Sequence, residues 1–530
     1  MVFFNNFLFY MNFAENKFGW DVQTTPPFLA FRAIRNIATS HHGEANILDL
    51  SQGEPGYGFA PSTRARRFYA FLLLIDSVFN NNQTKEHFGE KTEKNFPNIQ
   101  EKIKEIAFNF YKNEIAEELI KDLEFFLQSL ESITKKQENK KSRFEILFEI
   151  FKFSIPSGGR YPNPWGEEII RMAVAEDRSE EFGFKVSWQE IMLLSGCSQG
   201  VGTFFKGFGQ EGIGFLQEGD SVLMISPVYA PYTSFIENRK LDLVSISIDP
   251  ENGQLNQESF EQAKNYHQRI KAIILIHPNN PSGFPISQEN LEKIAEIAEK
   301  NNAIILSDEV YAQFFDNFKS IVQIKKAQKR SLRLNALSKI ERATGLRMGD
   351  FYIPSQTNDF ISQEILEKDC QGFLKKYKNV KWFLYLAKSP GGGTIGVFQH
   401  IAGVPGTAQI LGLCHLILGK EERKKYIQDL KEKVKTFYKN IGVDYQGNSY
   451  YGIIDLQKIS GPLTKQKSIE QILNNLAEKF GIVLMPANNF FSQSDRSSID
   501  RTKFIRVSLP NLSLENTAKA GKLIREFIKE

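Results

Sequence analysis

Cysteine is scarce in this chain: Cys197, Cys370 and Cys414 are the only three in 530 residues. Three widely spaced thiols exclude a disulfide framework and a thiolate zinc cluster, and they point to a reducing compartment, the cytosol. Histidine is also scarce. The seven histidines show no metal-ligand spacing, so no metal is expected. Charge of one sign is lacking too. The 66 basic residues nearly balance 62 acidic ones, for a formal net charge of +4. That balance gives no ground for a nucleic-acid or anionic-membrane partner. Past residue 13 there is no uncharged apolar run of the ~18 residues that a membrane span requires. There is no G-x-x-x-x-G-K-[S/T] loop, which excludes a P-loop nucleotidase. A G-x-G-x-x-G match at Gly207 to Gly212 follows a run that reads as helix, not strand, so it lacks the setting of a dinucleotide turn.

What is present is enough apolar residue, 41%, for sizeable cores, in a length that predicts two or three units. The first thirteen residues, MVFFNNFLFYMNF, are apolar and aromatic but carry no basic leader and no cleavage site. They are expected to be an arm packing on another subunit, or residues upstream of a start at Met11. Phe28 to Ile37 reads as helix, and Ile47 to Leu50 as a short strand entering the turn Ser51-Gln52-Gly53-Glu54-Pro55-Gly56. Residues 66–155 are rich in Lys, Glu and Phe. Ile103, Ile106, Ala107, Phe110, Ile115, Leu119, Leu123 and Leu127 recur near helical spacing, which predicts packing helices without chemistry of their own.

From residue 156 the texture is α/β. Asp220 to Ile225, Ala272 to Ile276 and Ala303 to Leu306 read as strands, the last two bare and apolar as expected of strands buried on both faces. Ser287 can cap a helix between those two, which makes a βαβ unit of a parallel sheet. Ligands in such sheets sit at the carboxyl ends of the strands. The polar residues stand there: Asn280 after one strand, Asp308 and Tyr311 after the next, and Ser338-Lys339 at the end of a third run. Arg347 follows eight residues after the lysine. An amine there can condense with an aldehyde, and the guanidinium can take a phosphate bidentately. Asp308 can pair with a protonated pyridine nitrogen, Tyr311 and Asn280 can bond a phenolate oxygen, and Tyr229 can stack on a ring. Small residues at 195–200 open a helix whose N–H groups can bind an anion. This is the equipment of a pyridoxal-phosphate site.

The segments SGCSQG, EGDSVLMISPVYAPY, HPNNPSG, SDEVY, ALSK then GLRMG, and MPANNFF then RVSLP occur in that order across residues 45–60 and 160–525. In these the chain resembles the class I/II aminotransferases of the aspartate aminotransferase fold. The resemblance implies an α/β fold of type I, with a mainly parallel seven-stranded large domain, an α+β small domain and a helical insertion. It implies pyridoxal 5'-phosphate on Lys339, with Asp308 at the ring nitrogen, and Tyr311 and Asn280 at the ring oxygen. Ser338 lies beside the lysine, Tyr229 is against the ring, and Arg347 with Cys197, Ser198 and Gln199 holds the phosphate. Arg506 would grip the substrate carboxylate, and Gly53 would offer it a backbone contact. Tyr161 would reach the neighbouring subunit's cofactor, so a homodimer is implied. The substrates would be an amino acid, with aspartate a candidate, and a 2-oxo acid.

The long insertion, the overall length, QHIAGVPGTAQ and the ending RVSLPNL look like the bifunctional aspartate aminotransferase/aspartate 4-decarboxylases, which are assemblies of dimers. Those enzymes have arginine before the first glycine of the turn, where this chain has Gln52. The family's usual phosphate-binding serine is replaced by Ala336. An aspartate decarboxylase on the same fold is therefore the alternative activity, and a cofactor-binding regulator the non-enzymatic one. The expected organisation is an arm and part of the small domain at 1–50, a large domain at 51–65 and 156–420, the insertion at 66–155, and the small domain at 421–530.

Overall fold

The computed structural model describes residues 20–53, 62–80, 93–153, 162–209, 213–250, 252–369, 403–444, 450–459, 467–492 and 502–529. The first thirteen residues and the loop at 156–160 lie outside them. Helix α1 (Pro27–His42) begins with proline, whose missing N–H would have no helical partner in the first turn anyway. Strand β1 (Leu48–Asp49) then leads to Gly53.

The inserted region forms α2 (Thr63–Asn80), α3 (Phe96–Phe110), α4 (Asn113–Lys136) and α5 (Arg143–Phe153). Ile103, Ile106, Ala107, Leu119, Leu123 and Leu127 are buried, as their spacing requires. Phe110 is instead 64% exposed and Ile115 half-buried, because the helix breaks at Tyr111–Lys112 and one apparent stripe becomes two faces. The insertion is not a separate body: Phe68, Phe71, Leu119 and Phe126 share a core with Ile191, Leu193 and Ile273 of the main sheet.

Next come α6 (Glu168–Phe182), β2 (Ile191–Leu194), α7 (Cys197–Phe208), β3 (Ser221–Ser226), α8 (Ala230–Glu237) and β4 (Asp242–Ser247). They are followed by α9 (Gln257–Lys264), β5 (Ile270–Ile276), α10 (Gln288–Asn301), β6 (Ile304–Asp308), β7 (Ser331–Ala336), α11 (Leu337–Ile340) and β8 (Gly349–Tyr352). Ser287 caps α10 by accepting from Asn290 N at 3.3 Å. The sheet has seven strands in the order β2-β8-β7-β6-β5-β3-β4, parallel except where β8 pairs with β2 and β7. Ile276 lies opposite Asp308, and Asp308 opposite Leu334, so the carboxyl ends of β5, β6 and β7 stand side by side.

Lys339 does not end a strand. The β6 ladder stops at Leu334 and the β8 ladder at Ala336, so the backbone beyond leaves the sheet. It closes instead into the single turn of α11, with Leu337 N bonded to Met348 O at 3.0 Å.

Helices α12 (Gly406–Leu418) and α13 (Lys420–Ile441) follow; α12 packs on α2. Then come β9 (Tyr451–Asp455), α14 (Ile469–Phe480), β10 (Ile482–Val483), β11 (Met485–Pro486), β12 (Phe504–Ser508) and α15 (Leu514–Lys529). The order β11-β12-β9 forms a small antiparallel sheet, and β1 pairs with β10. A second core joins α1, α13, α14 and α15 over these strands. Among the described residues no helix is long and apolar enough to cross a membrane.

Candidate active site

A cavity of about 1310 Å3 opens at the carboxyl ends of β5, β6 and β7. Tyr229, Asn280, Asp308, Tyr311, Ser338 and Lys339 line it, as do Cys197, Ser198 and Arg347. The Lys339 amine donates to Gly53 O at 2.7 Å and lies 5.3 Å from the centre of the Tyr450 ring. Tyr450 donates to the same carbonyl at 2.9 Å. Gly53 allows no side chain, since a Cβ would lie 1.7 Å from the Tyr451 oxygen.

Asp308 is buried at the end of β6. Burial pushes its carboxyl above the usual range. Hydrogen bonds from Tyr232 and Cys197, and from the Val310 amide at 3.2 Å, pull against that shift. A buried carboxylate of this kind is made more favourable by a cation placed against it. Tyr311 is also buried, its ring centre 5.5 Å from those of Tyr450 and Tyr451. Burial, and then Tyr451, hold the phenol well above its ordinary value, so it stays protonated and able to donate.

Arg506, on β12, is buried in full. It donates to Ser51 O at 2.6 Å and to Asn280 Oδ1 at 3.4 Å, and its Cζ lies 4.5 Å from the Tyr451 ring centre. Among the described residues its Nε finds no hydrogen-bond partner. A buried guanidinium with an unmet donor is suited to a carboxylate.

At the other end, α7 starts at Gly196, whose φ of 82° lies in the left-handed region. A Cβ on Gly196 would stand 2.4 Å from Arg347 Nη2. That nitrogen donates to Ser195 O at 3.3 Å, which fixes the guanidinium beside the helix N-terminus. A helix start and an arginine together make an anion site. Gln199 is not among the residues lining this cavity. Its N–H is given to Gly196 O at 3.1 Å and its side chain accepts from Ser195 N, so Cys197 and Ser198 remain as the helix-start residues at the cavity. Ala336 lines the cavity and offers no hydroxyl. Gln52 is half-buried, and Tyr161 lies outside the described residues.

Several site residues escape the sequence patterns. Tyr232, on α8, is the hydroxyl on Asp308; its only signal is the second tyrosine of PVYAPY. Tyr450 and Tyr451 come from the far end of the chain. Arg66 and Tyr69, from α2 of the insertion, line the same cavity as Lys339, which corrects the expectation of a region without a part in the site.

Residues 154–524, well over half the chain, match the family model for aminotransferase class I and II. The chain belongs to that family. This aminotransferase is 27% identical over 408 residues to a bifunctional aspartate aminotransferase and L-aspartate β-decarboxylase of a Pseudomonas species, covering 70% of this chain and 74% of that one. It is 29% identical over 188 residues to the aspartate aminotransferase of Pyrococcus horikoshii, spanning 35% of this chain and about half, 46%, of that relative. Its fold matches an Escherichia coli protein with a methionine aminotransferase function, with a TM-score of 0.60 at 14% identity, covering 96% of this chain and 100% of that one. It also matches Thermus thermophilus aspartate aminotransferase with maleate, with a TM-score of 0.52 at 19% identity over 76% of this chain and 87% of that one. At these identities the structural matches speak for the fold alone. The aminotransferase uses pyridoxal 5'-phosphate, as its family does, to move an amino group between an amino acid and a 2-oxo acid. The residues present fit that cofactor: an amine for the aldehyde, a buried carboxylate for the ring nitrogen, and a helix start with an arginine for the phosphate.

Proposed function

We propose that this aminotransferase acts on an acidic amino acid, with aspartate as the amino donor, through the residues around Lys339. One observation carries the proposal: the Lys339 amine and the Asp308 carboxylate share one cavity, and Arg506 stands behind Asn280 in its wall. Lys339 would hold the cofactor through its amine, and that amine is the group that would move the proton at the substrate Cα. When bound, pyridoxal phosphate supplies the sink for the electron pair left at that carbon. Asp308 would hold a proton on the ring nitrogen, and Tyr232 and Cys197 hold Asp308 in place. Tyr311 and Asn280 would bond the ring oxygen, Tyr229 would pack on the ring, and Ser338 lies beside the lysine. Arg347 and the backbone at Cys197 and Ser198 would take the phosphate. Arg506 takes the α-carboxylate next to Gly53.

The acidic substrate is favoured by charge. Among the described residues, Lys339, Arg66, Arg342 and Arg347 line the cavity against a single carboxylate, Asp308. Besides Arg347, the arginines lining the cavity are Arg342 and, from the insertion, Arg66, in a chain that has Gln52 where arginine is found in the bifunctional enzymes. A cytoplasmic homodimer with Tyr161 reaching the neighbouring site, and the division into large domain, insertion and small domain drawn from the sequence, complete the proposal. The name of the Pseudomonas relative supports a second reading, β-decarboxylation. Aspartate without a 2-oxo acid separates the two: one equivalent converted per site indicates transamination, and catalytic release of alanine indicates decarboxylation.

A further inference from the structure

Glu309, next to Asp308, and Glu341, two residues past Lys339, are linked by one largely buried chain of charges. Glu309, next to Asp308, accepts from Arg333 Nε at 2.7 Å with both side chains fully buried. Arg333 also bonds Glu181. Glu181 accepts from Arg178 Nη1 at 2.8 Å, and Arg178 holds Asp177 at 2.9 Å and Asp350 at 2.8 Å. Asp177 accepts from Arg423 Nη1 at 3.0 Å, and Arg423 Nε donates to Glu341 at 2.5 Å. Glu341 is two residues past Lys339. Its other oxygen lies 3.4 Å from Nδ1 of His415, a wholly buried ring that lines the cavity and, among the described residues, has no hydrogen-bond partner on either nitrogen. Gln313, two residues past Tyr311, adds bonds to Asp177 and Glu181 at 3.2 and 3.3 Å.

The turn that carries the lysine needs such an anchor. Helix α11 has four residues, and a single isolated turn does not hold itself together. We propose that Glu341, clamped by Arg423, is the positioning residue that fixes this turn and so keeps the Lys339 amine aligned with Asp308. The clamp ties α11 to α13 through Arg423 and to α6 through Asp177, and the rest of the chain carries the tie round to Glu309 under β6. The inference rests on the aminotransferase reading of Lys339.

The test compares Glu341→Gln, Arg423→Met and Arg423→Lys with wild type. The readouts are pyridoxal-phosphate affinity, the pH midpoint of the bound cofactor's visible band, kcat and KM, and the unfolding temperature of the cofactor-free protein. Misplacing a reacting group by about 1 Å can lower rate by about 100-fold, so E341Q and R423M should lose about 10- to 100-fold in kcat while KM stays within about twofold. The band midpoint should move in the same variants, and R423K should recover most of both. Where R423M does not fold, the isosteric E341Q decides. Wild-type kcat and band midpoint in E341Q, even with a lower unfolding temperature, would overturn the proposal by showing a purely structural role. A wild-type protein that gives no cofactor band at all would instead overturn the aminotransferase reading beneath it.

Discussion

Gly53→Ala places one methyl group where the structure has no room. The added Cβ would lie 1.7 Å from the Tyr451 oxygen, 2.9 Å from Cζ and 3.4 Å from the Lys339 amine. Carbon needs roughly 3.5 Å to a neighbouring heavy atom, so the phenol must retreat by between about one and two ångströms. It cannot retreat freely. Tyr451 is 5% exposed, its ring centre lies 5.2 Å from that of Tyr450 and 5.5 Å from that of Tyr311, and Arg506 covers its face at 4.5 Å. The overpacking should cost about 1–3 kcal/mol of stability. The larger effect is on rate. A shift of about 1 Å in Arg506 or Tyr311 should lower kcat/KM by about 100-fold, equivalent to about 2.7 kcal/mol in the transition state. Steady-state kinetics with the best amino donor measures this, beside a pyridoxal-phosphate titration. Cofactor affinity should fall less than kcat/KM, because Arg347 and the α7 start are not among the atoms the added Cβ meets. Adding Tyr451→Phe removes the nearest atom and should recover part of the loss. Wild-type kcat/KM in G53A would refute the claim that this glycine shapes the substrate end of the site.

Two further outcomes follow from the charges. Burial raises the Asp308 carboxyl in the cofactor-free protein, so its ionisation opposes folding. That penalty is absent below the unfolded carboxylate value near 3.9 and develops as pH rises through the window up to the raised folded value. Cofactor-free Asp308→Asn should therefore gain stability relative to wild type as pH rises above about 4, measured by urea unfolding, while turnover falls on the order of 100-fold or more. Arg66→Gln should raise KM for aspartate while sparing an apolar amino donor. An equal loss for both donors would remove Arg66 from substrate recognition.

Asn280, Asp308 and Lys339 could be grouped from the sequence because they stand at or just past the ends of the extended runs β5, β6 and β7, and a parallel sheet brings such ends together whatever the intervening length. The seven-stranded, mainly parallel sheet was implied by the family resemblance, and only part of it stood out as strand-like runs. The turn of α11 was hidden, because only the ladder's end at Ala336 shows where the strand must stop. Arg66 and Tyr69 were hidden for a different reason. They sit on a helix whose apolar residues give its packing face, and nothing local tells which neighbour its polar residues meet. The charge network was equally silent: Arg178, Arg333 and Arg423 look like ordinary solvated arginines until the fold buries them against Asp177, Glu181, Glu309 and Glu341. Tyr450 and Tyr451 join the site only because the small sheet folds back over Gly53.

The most direct test of the account is the single-turnover half-reaction. Purified protein loaded with pyridoxal phosphate is mixed with each amino acid in the absence of any 2-oxo acid, and the cofactor spectrum and the released product are followed together. The account predicts one equivalent of 2-oxo acid per site from an acidic amino acid, full reversal on adding a 2-oxo acid, and no conversion in Lys339→Ala. Unchanged conversion in the Lys339→Ala protein, or no spectral change with any amino acid, would contradict it.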